Sequence, residues 1–257
     1  MKTQLADFFA IFTVAVVAAV LAAYSFRTIR AGRIASPRLD GVRGTRLLGR
    51  FPIEAFHWAA IGVARTLTKS GIEPDTLTMT SLGLTVLTVP LAAAGHLEAA
   101  GTVLLAGSAF DMLDGIVARE RGMACEAGEM LDSVVDRYAD GACLIGLGIF
   151  YRESAWRLGL VFVTLMGSMM VSYVRAKAEK FRLSLPPTWM RRPERITYLA
   201  GALILGPSVS RWVAPSEAGE LATFAILALV AVVSNLAACK LLVAARKELR
   251  GAKTVSS

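Results

Sequence analysis

Residues 111–136 read DMLDGIVARERGMACEAGEMLDSVVD, and they lie inside a chain of 257 residues that is otherwise 55% hydrophobic. The stretch places Asp111, Asp114, Gly115, Ala118, Arg119, Gly128, Asp132 and Asp136 in the pattern D-x2-D-G-x2-A-R-x8-G-x3-D-x3-D. An isolated carboxylate at membrane depth costs at least a few kcal/mol, so a cluster of them needs a compensating partner or a function. On a helix Asp111, Asp114, Gly115 and Ala118 fall at i, i+3, i+4 and i+7, a stripe along one face. Gly128, Asp132 and Asp136 fall at i, i+4 and i+8 and form a second stripe. A polar turn from Glu120 to Ala127 joins the two, which predicts antiparallel helices with their acidic stripes facing.

Four carboxylates converging in a low dielectric cannot all ionise without cations. Oxygen ligands with no nearby His or Cys set select hard ions, Mg²⁺, Mn²⁺ or Ca²⁺, over zinc. Two such ions about 3.5–4 Å apart suit phosphoryl chemistry, one on each side of an in-line displacement. Gly115 and Ala118 remove bulk beside the acids and leave room for a nucleotide diphosphate. Arg119 offers a fork suited to phosphate oxygens. The plainer alternative is that the acids pair with arginines inside a bundle. Arg119 and Arg137 are the arginines nearest in sequence, and pairing with both leaves a surplus of two acids.

Working outward, a charged fraction of 19% and a mean hydropathy of +0.55 exclude a soluble globule of this size. Apolar runs near the length that crosses a bilayer, about 20 residues, recur at Leu5–Phe26, Thr76–Ala94, Ala99–Val117, Met130–Phe150, Leu158–Val174, Ile196–Val213 and Leu221–Val243. Nothing alternates like a barrel strand, so the expected fold is an all-α integral-membrane bundle. It has a six-helix transmembrane core and an extra N-terminal transmembrane helix, which reads as a retained span and not as a cleaved signal peptide. The mixed stretch from Phe51 to Lys69 reads as an amphipathic helix in the headgroup layer. The chain divides into residues 1–70 (extra span and amphipathic helix), 71–250 (core) and 251–257 (a short cytoplasmic tail).

The net charge is +8, and its distribution orients the bundle. Connectors on one side carry 22 Lys and Arg, at Arg27–Lys69, Arg119 and Arg121, Arg175–Arg195 and beyond Val243; Lys2, Arg152, Arg157 and Arg211 lie on the other. The positive-inside rule then puts the acid motif and the C-terminus on the cytoplasmic side of an inner (plasma) membrane, with the N-terminus outside. These membrane flanks account for a pI near 9.8 without nucleic acid. Cys125, Cys143 and Cys239 stand singly and read as reduced residues, not a disulfide or zinc framework. His57 and His96 are far from the motif and take no catalytic role.

The eight-position pattern resembles the signature of the CDP-alcohol phosphotransferase (CDP-alcohol phosphatidyltransferase) family, membrane enzymes of phospholipid synthesis, over about Gly71 to Ala245. In that family an alcohol attacks a CDP-linked lipid or alcohol and CMP leaves. The resemblance implies that Asp111, Asp114, Asp132 and Asp136 hold Mg²⁺ or Mn²⁺, two ions per site, with Asp136 also taking the acceptor's proton. It implies a CDP site lined by Asp111, Asp114, Gly115, Ala118, Arg119 and Gly128, and it suggests a homodimer. Pro74-Asp75-x2-Thr78 resembles the family's entry to its first core helix, where Asp75 and Thr78 approach the nucleotide. Pro–Asp before an apolar run is equally an ordinary helix start with Asp75 as cap.

Ser172-Tyr173-Val174-Arg175 and Arg191-Arg192-Pro193-Glu194-Arg195 resemble the branch that makes phosphatidylinositol phosphate. Arg175, Arg192 and Arg195 would then form a receptor for the phosphate of a phosphorylated polyol such as inositol phosphate. Lys240, a lone charge late in the last apolar run, is a fourth candidate, with snorkelling to the surface as its other reading. The expected reaction joins CDP-diacylglycerol to the phosphorylated polyol. Glycerol 3-phosphate or another alcohol would be recognised by similar cations, and a cation transporter is the rival class. A transporter would spread its acids through the bundle's depth, whereas these gather at one end of two adjacent runs.

Overall fold

The protein is described here from a computed structural model covering residues 2–33, 49–212 and 216–255. The expectations for Arg38, Arg43, Arg46 and Val213 fall outside the described residues. The described residues form eight helices and no strand: α1 (Lys2–Ala31), α2 (Arg50–Lys69), α3 (Pro74–Ala93), α4 (Leu97–Glu120), α5 (Glu126–Phe150), α6 (Ala155–Lys180), α7 (Arg192–Trp212) and α8 (Ser216–Val255). Each of the expected spans lies in its own helix, α1 or α3 to α8. The helices overrun the apolar runs at their ends because intrahelical hydrogen bonding continues through the headgroup layer.

By length and composition α1, α3, α4, α6 and α8 are each apolar enough to cross a membrane. Helices α5 and α7 are more polar, but their 25 and 21 residues span about 37 and 31 Å at 1.5 Å per residue, enough for the hydrocarbon core. Helix α5 carries its acids at one end, where neighbouring helices and not lipid receive them. The chain is a multi-pass membrane protein with a six-helix core.

Glycines set the two turns that deliver α4. Gly95 has φ +80°, with its N–H donating to Ala92 O at 3.0 Å and that of His96 to Leu91 O at 2.9 Å. Gly122 repeats the arrangement at φ +65°, through Gly122 N–H to Arg119 O at 3.1 Å and Met123 N–H to Ala118 O at 2.8 Å. This left-handed closure ends a helix tightly, so α5 starts only a few residues after α4 stops.

One expectation is corrected. Helices α4 and α5 do not face each other along their length: α3 packs broadly against both, and they meet only narrowly. The reason is the buried small-residue stripe on α3, Thr78, Ser81, Thr85 and Thr88, which lets it wedge between them. A Cβ on Gly107 would lie 2.7 Å from Thr85 Oγ1, and one on Gly146 would lie 2.6 Å from the Val89 carbonyl and 2.9 Å from Ala92 Cβ. Because the Gly146 obstacle is backbone, Gly146→Ala is expected to cost about 1–3 kcal/mol through overpacking and to lower the melting temperature in detergent. Gly201→Ala, with nothing within 4 Å of its Cβ, should leave it unchanged. Equal melting temperatures for the two variants would contradict this packing.

The second half of the core pairs α6 and α7 with α8, and α7 closes onto α4. Leu104, Leu144, Leu147, Leu203 and Leu227 are buried at its centre. Helix α1 is docked through polar contacts at both ends. Its Asp7 takes Arg211 at 2.9 Å and Trp212 Nε1 at 3.2 Å, while Arg211 also pairs with Glu98. Thr13 and Thr102 share a hydroxyl hydrogen bond of 2.8 Å.

At its other end the Tyr24 hydroxyl donates to Glu54 Oε2 at 3.0 Å. Helix α2 therefore does more than lie on the headgroups. Glu54 is fully buried and paired with Arg50 at 2.5 Å, and Ala60 and Ala64 pack with Leu113, Ile116 and Val117 of α4. The amphipathic helix braces the motif helix from outside.

Candidate active site

The site is built where the start of α3, the end of α4 and the starts of α5 and α7 converge. Asp111, Asp114 and Asp132 each present a carboxylate oxygen, and the three lie within 4.8 Å of one another. Asp114 is 5% exposed and accepts a 2.6 Å hydrogen bond from the Thr78 hydroxyl. Asp136, one turn beyond Asp132, lies 2.8 Å from Arg192 Nη1 through Oδ1, and the same Nη1 pairs with Asp111 Oδ2.

Asp140 completes the line. Its Oδ1 is 3.5 Å from Arg192 Nε, and its Oδ2 is 2.5 Å from Arg195 Nη2. Arg195 is 5% exposed; its Nη2 also donates to Ser172 Oγ at 3.2 Å and its Nη1 to Met190 O at 2.9 Å.

Sequence reasoning missed Asp140, although its i+4 spacing from Asp136 extends the Asp132–Asp136 stripe. The arginines in direct contact with the cluster are not the two nearest in sequence. Arg137 donates back to Ser133 O at 2.8 Å, and the Arg119 guanidinium lies beside Gly115, 3.1 Å from where a Cβ would stand. The pairing arginines come instead from α7, 81 positions from Asp111 in the case of Arg192. Five carboxylates (Asp111, Asp114, Asp132, Asp136, Asp140) outnumber the two guanidiniums of Arg192 and Arg195 that meet three of them directly. Asp111 Oδ1 is moreover buried without a hydrogen-bond partner. This oxygen-only donor set with surplus charge fits a divalent cation.

The remaining predicted residues separate into groups. Ala118 and Gly128 are half-buried at the mouth of the cluster, and a Cβ on Gly128 would touch only Cys125 Sγ at 3.7 Å. Asp75 is exposed in the first turn of α3, whose cap position is held by Glu73; capping is therefore not its role. Thr78 reaches inward to Asp114 and orients a carboxylate.

Arg175 is half-buried with Nη2 lacking an acceptor, as does Nε of Arg191, and the two like charges repel. Arg191 stands just before α7, where its N–H donates to Glu194 Oε2 at 3.0 Å. Glu194 is thus the reciprocal acid of a helix start, which explains its place in the Arg-Pro-Glu-Arg segment. Lys240 is exposed, with Nζ 3.7 Å from the centroid of the Trp189 ring, a cation–π contact on the loop leading into Arg191.

Thr78→Val, which keeps the volume and removes the hydrogen bond, should cost about 10- to 100-fold in metal affinity or activity, the usual size of an outer-shell loss. Manganese titration against wild type checks this, and an unchanged affinity and rate would refute it.

Carboxylates gathered at one end of a membrane bundle, with basic residues beside them, can hold divalent cations against a phosphate-bearing substrate. The chain belongs to the CDP-alcohol phosphatidyltransferase family, whose model matches residues 72–245. It is similar to the phosphatidylinositol phosphate synthase of Mycobacteroides abscessus, 36% identical over 165 residues, or 62% of this chain and 74% of that one. The archaetidylinositol phosphate synthase of Pyrococcus horikoshii is 36% identical over 117 residues, covering 46% of this chain and 61% of its own.

Among solved structures, Mycobacterium tuberculosis phosphatidylinositol phosphate synthase with CDP-DAG bound matches at 29% identity with a TM-score of 0.62, over 72% of this chain and 92% of that one. Its complex with manganese and citrate matches at 29% identity with a TM-score of 0.64, over 72% and 88%. The protein is a phosphatidyltransferase, and its cofactor is a divalent cation, Mg²⁺ or Mn²⁺.

Proposed function

We propose that this enzyme transfers the phosphatidyl group of CDP-diacylglycerol to a hydroxyl of inositol phosphate, releasing CMP and forming phosphatidylinositol phosphate. One observation carries the acceptor reading: Arg175 and Arg191 each hold a buried guanidinium nitrogen without an acceptor, and Arg191 directly precedes Arg192, which meets the carboxylates. Several fixed guanidiniums form a receptor for a phosphate dianion. The named function of the relatives supports the same acceptor.

In the proposed reaction the acceptor oxygen attacks the lipid-side phosphorus. A new P–O bond forms as the bond to CMP breaks, and CMP leaves with the electron pair. Asp136 takes the hydroxyl proton. Asp111, Asp114, Asp132 and Asp136 would hold the divalent ions, two per site, and these would supply charge neutralisation on the diphosphate. Gly115, Ala118, Gly128 and Arg119 face the CDP moiety, with Asp75 at the rim. Arg175 and Arg191 meet the acceptor's phosphate together with Arg192, while Arg195 and Lys240 hold that wall of the site in place.

The reacting end faces the cytoplasm in this reading, with the N-terminus outside and two chains forming a homodimer. Helix contacts place the basic end of α1, the Arg119–Arg121 turn and the start of α7 on the side of the acids, and Asp7, Glu98 and Arg211 on the other. A periplasmic reporter fused to the N-terminus should be active and one fused to the C-terminus silent; the reverse pattern would invert the topology.

The acceptor is tested with labelled CDP-diacylglycerol against inositol phosphate, inositol, glycerol 3-phosphate and serine. CMP release is expected with inositol phosphate, and Arg175→Gln should raise its KM about tenfold or more with kcat less affected. Preference for glycerol 3-phosphate or for an unphosphorylated alcohol would overturn the acceptor assignment and leave the family chemistry intact.

A further inference from the structure

The contacts of Arg192 set it apart from the other arginines. A single nitrogen, Nη1, donates to Asp111 Oδ2 and lies 2.8 Å from Asp136 Oδ1, an ion pair by distance in which Oδ1 has no hydrogen-bond partner, while Nε faces Asp140 Oδ1 at 3.5 Å and is likewise buried without one. Its neighbours at the same wall are differently placed. Arg195 is pinned by Asp140, Ser172 and the Met190 carbonyl, so its guanidinium has nowhere to go. Arg175 and Arg191 bring buried N–H groups with no acceptor.

Arg192 is the first residue of α7, where a long side chain can change rotamer without disturbing the helix. The two carboxylates its Nη1 meets belong to the proposed ligand set. A guanidinium and a divalent cation cannot occupy the same oxygen lone pairs, and at such range a charge of +1 and one of +2 repel strongly in a low dielectric.

We propose that Arg192 is shared between the carboxylates and the acceptor: a divalent cation on Asp111 and Asp136 displaces its guanidinium toward the phosphate received by Arg175 and Arg191. This rests on the part of the reading above that gives the acceptor a phosphate. It follows that cation binding and phosphate binding help each other. The cation frees a phosphate ligand, and the phosphate removes a competitor from the carboxylates. By linkage the two enhancements must be equal. Arg192 is then the residue that makes loading of the two halves of the site interdependent.

The test uses the full chain in detergent, with Mn²⁺ affinity read by electron paramagnetic resonance or calorimetry, alone and with inositol phosphate or inorganic phosphate present. In the wild type either phosphate should tighten Mn²⁺ at least fivefold, and Mn²⁺ should tighten the phosphate by the same factor. Arg192→Gln, checked for an unchanged melting temperature and elution volume, should bind Mn²⁺ about tenfold more tightly than wild type and respond to phosphate less than twofold. Arg192→Lys, which keeps the charge but loses the fork, should recover part of the phosphate response.

Mn²⁺ binding in Arg192→Gln that equals or falls below wild type would overturn the sharing. So would a phosphate response as large as that of wild type. If inorganic phosphate couples to Mn²⁺ but inositol phosphate does not, the acceptor reading fails and the sharing stands. If neither phosphate couples in the wild type, the sharing fails.

Discussion

Asp132→Asn is expected to lower turnover by at least about a thousandfold, the scale lost when transition-state charge stabilisation is removed, while the protein stays folded. The substitution keeps the side chain's volume and removes one charge from the oxygens of Asp111, Asp114 and Asp132, which lie within 4.8 Å of each other. Like charges so placed repel, and the arginines of α7 compensate only part of them. The asparagine variant should therefore melt at or above the wild-type temperature, the pattern of a functional cluster held against its own repulsion.

Asp136→Asn should be at least as inactive, since it removes the proposed proton acceptor together with a ligand. CMP release in Mn²⁺ or Mg²⁺ measures the loss, and a thermal melt in detergent measures the fold. Activity within tenfold of wild type would refute the metal assignment. A melting temperature lowered by many degrees would instead assign Asp132 a structural role. Removing the divalent ion from wild-type enzyme with a chelator should mimic the loss and be reversed by adding Mn²⁺ or Mg²⁺.

Asp140→Ala should do the opposite. Asp140 and Arg195 have side chains only 3% and 5% exposed and meet at 2.5 Å. Removing the acid leaves a buried guanidinium with only Ser172 and the Met190 carbonyl as partners. Breaking one side of such a pair costs about 3–5 kcal/mol, a large share of the stability of an ordinary domain. The expected result is poor yield, a melting temperature lowered by many degrees, and loss of activity in proportion to the loss of folded protein. A double variant, Asp140→Ala with Arg195→Met, should regain much of the stability, because no unpaired charge remains. An Asp140→Ala protein that melts like wild type would show that the pair contributes little, and a double variant no better than the single would show that the cost lies in packing.

The contrast between Asp132 and Asp140 marks what could be read from spacing. Asp111, Asp114, Asp132 and Asp136 announced a shared site because helical periodicity aligns residues three and four apart, and because carboxylates in an apolar chain need an explanation. The same periodicity includes Asp140, but its burial and its bond to Arg195 depend on α7, which is adjacent only in three dimensions. The counter-ions illustrate the same limit. Arg119 and Arg137 are near in sequence, but the direct ion pairs with Asp111, Asp136 and Asp140 come from Arg192 and Arg195 of α7.

Thr78 was legible as a residue near the nucleotide, and its hydrogen bond to Asp114 required knowing that α3 runs between α4 and α5. Nothing in the pattern of apolar runs distinguishes that arrangement from two motif helices facing directly. The small-residue stripe on α3, with Gly107 and Gly146 across from it, is the signal that could have. Glu54, one charge on an amphipathic stretch, gave no sign that Arg50 and Tyr24 would carry it inside.

The class of fold, the acidic cluster and its hard-cation chemistry follow from hydropathy, period and ligand type along a single chain. Which arginine meets which acid depends on how the helices pack. Arg192 meets Asp111 and Asp136 while Arg195 is locked to Asp140, although the two arginines are only three positions apart. The physical reason is that a charge in low dielectric is governed by whatever lies within a few ångströms, and helix packing sets those neighbours.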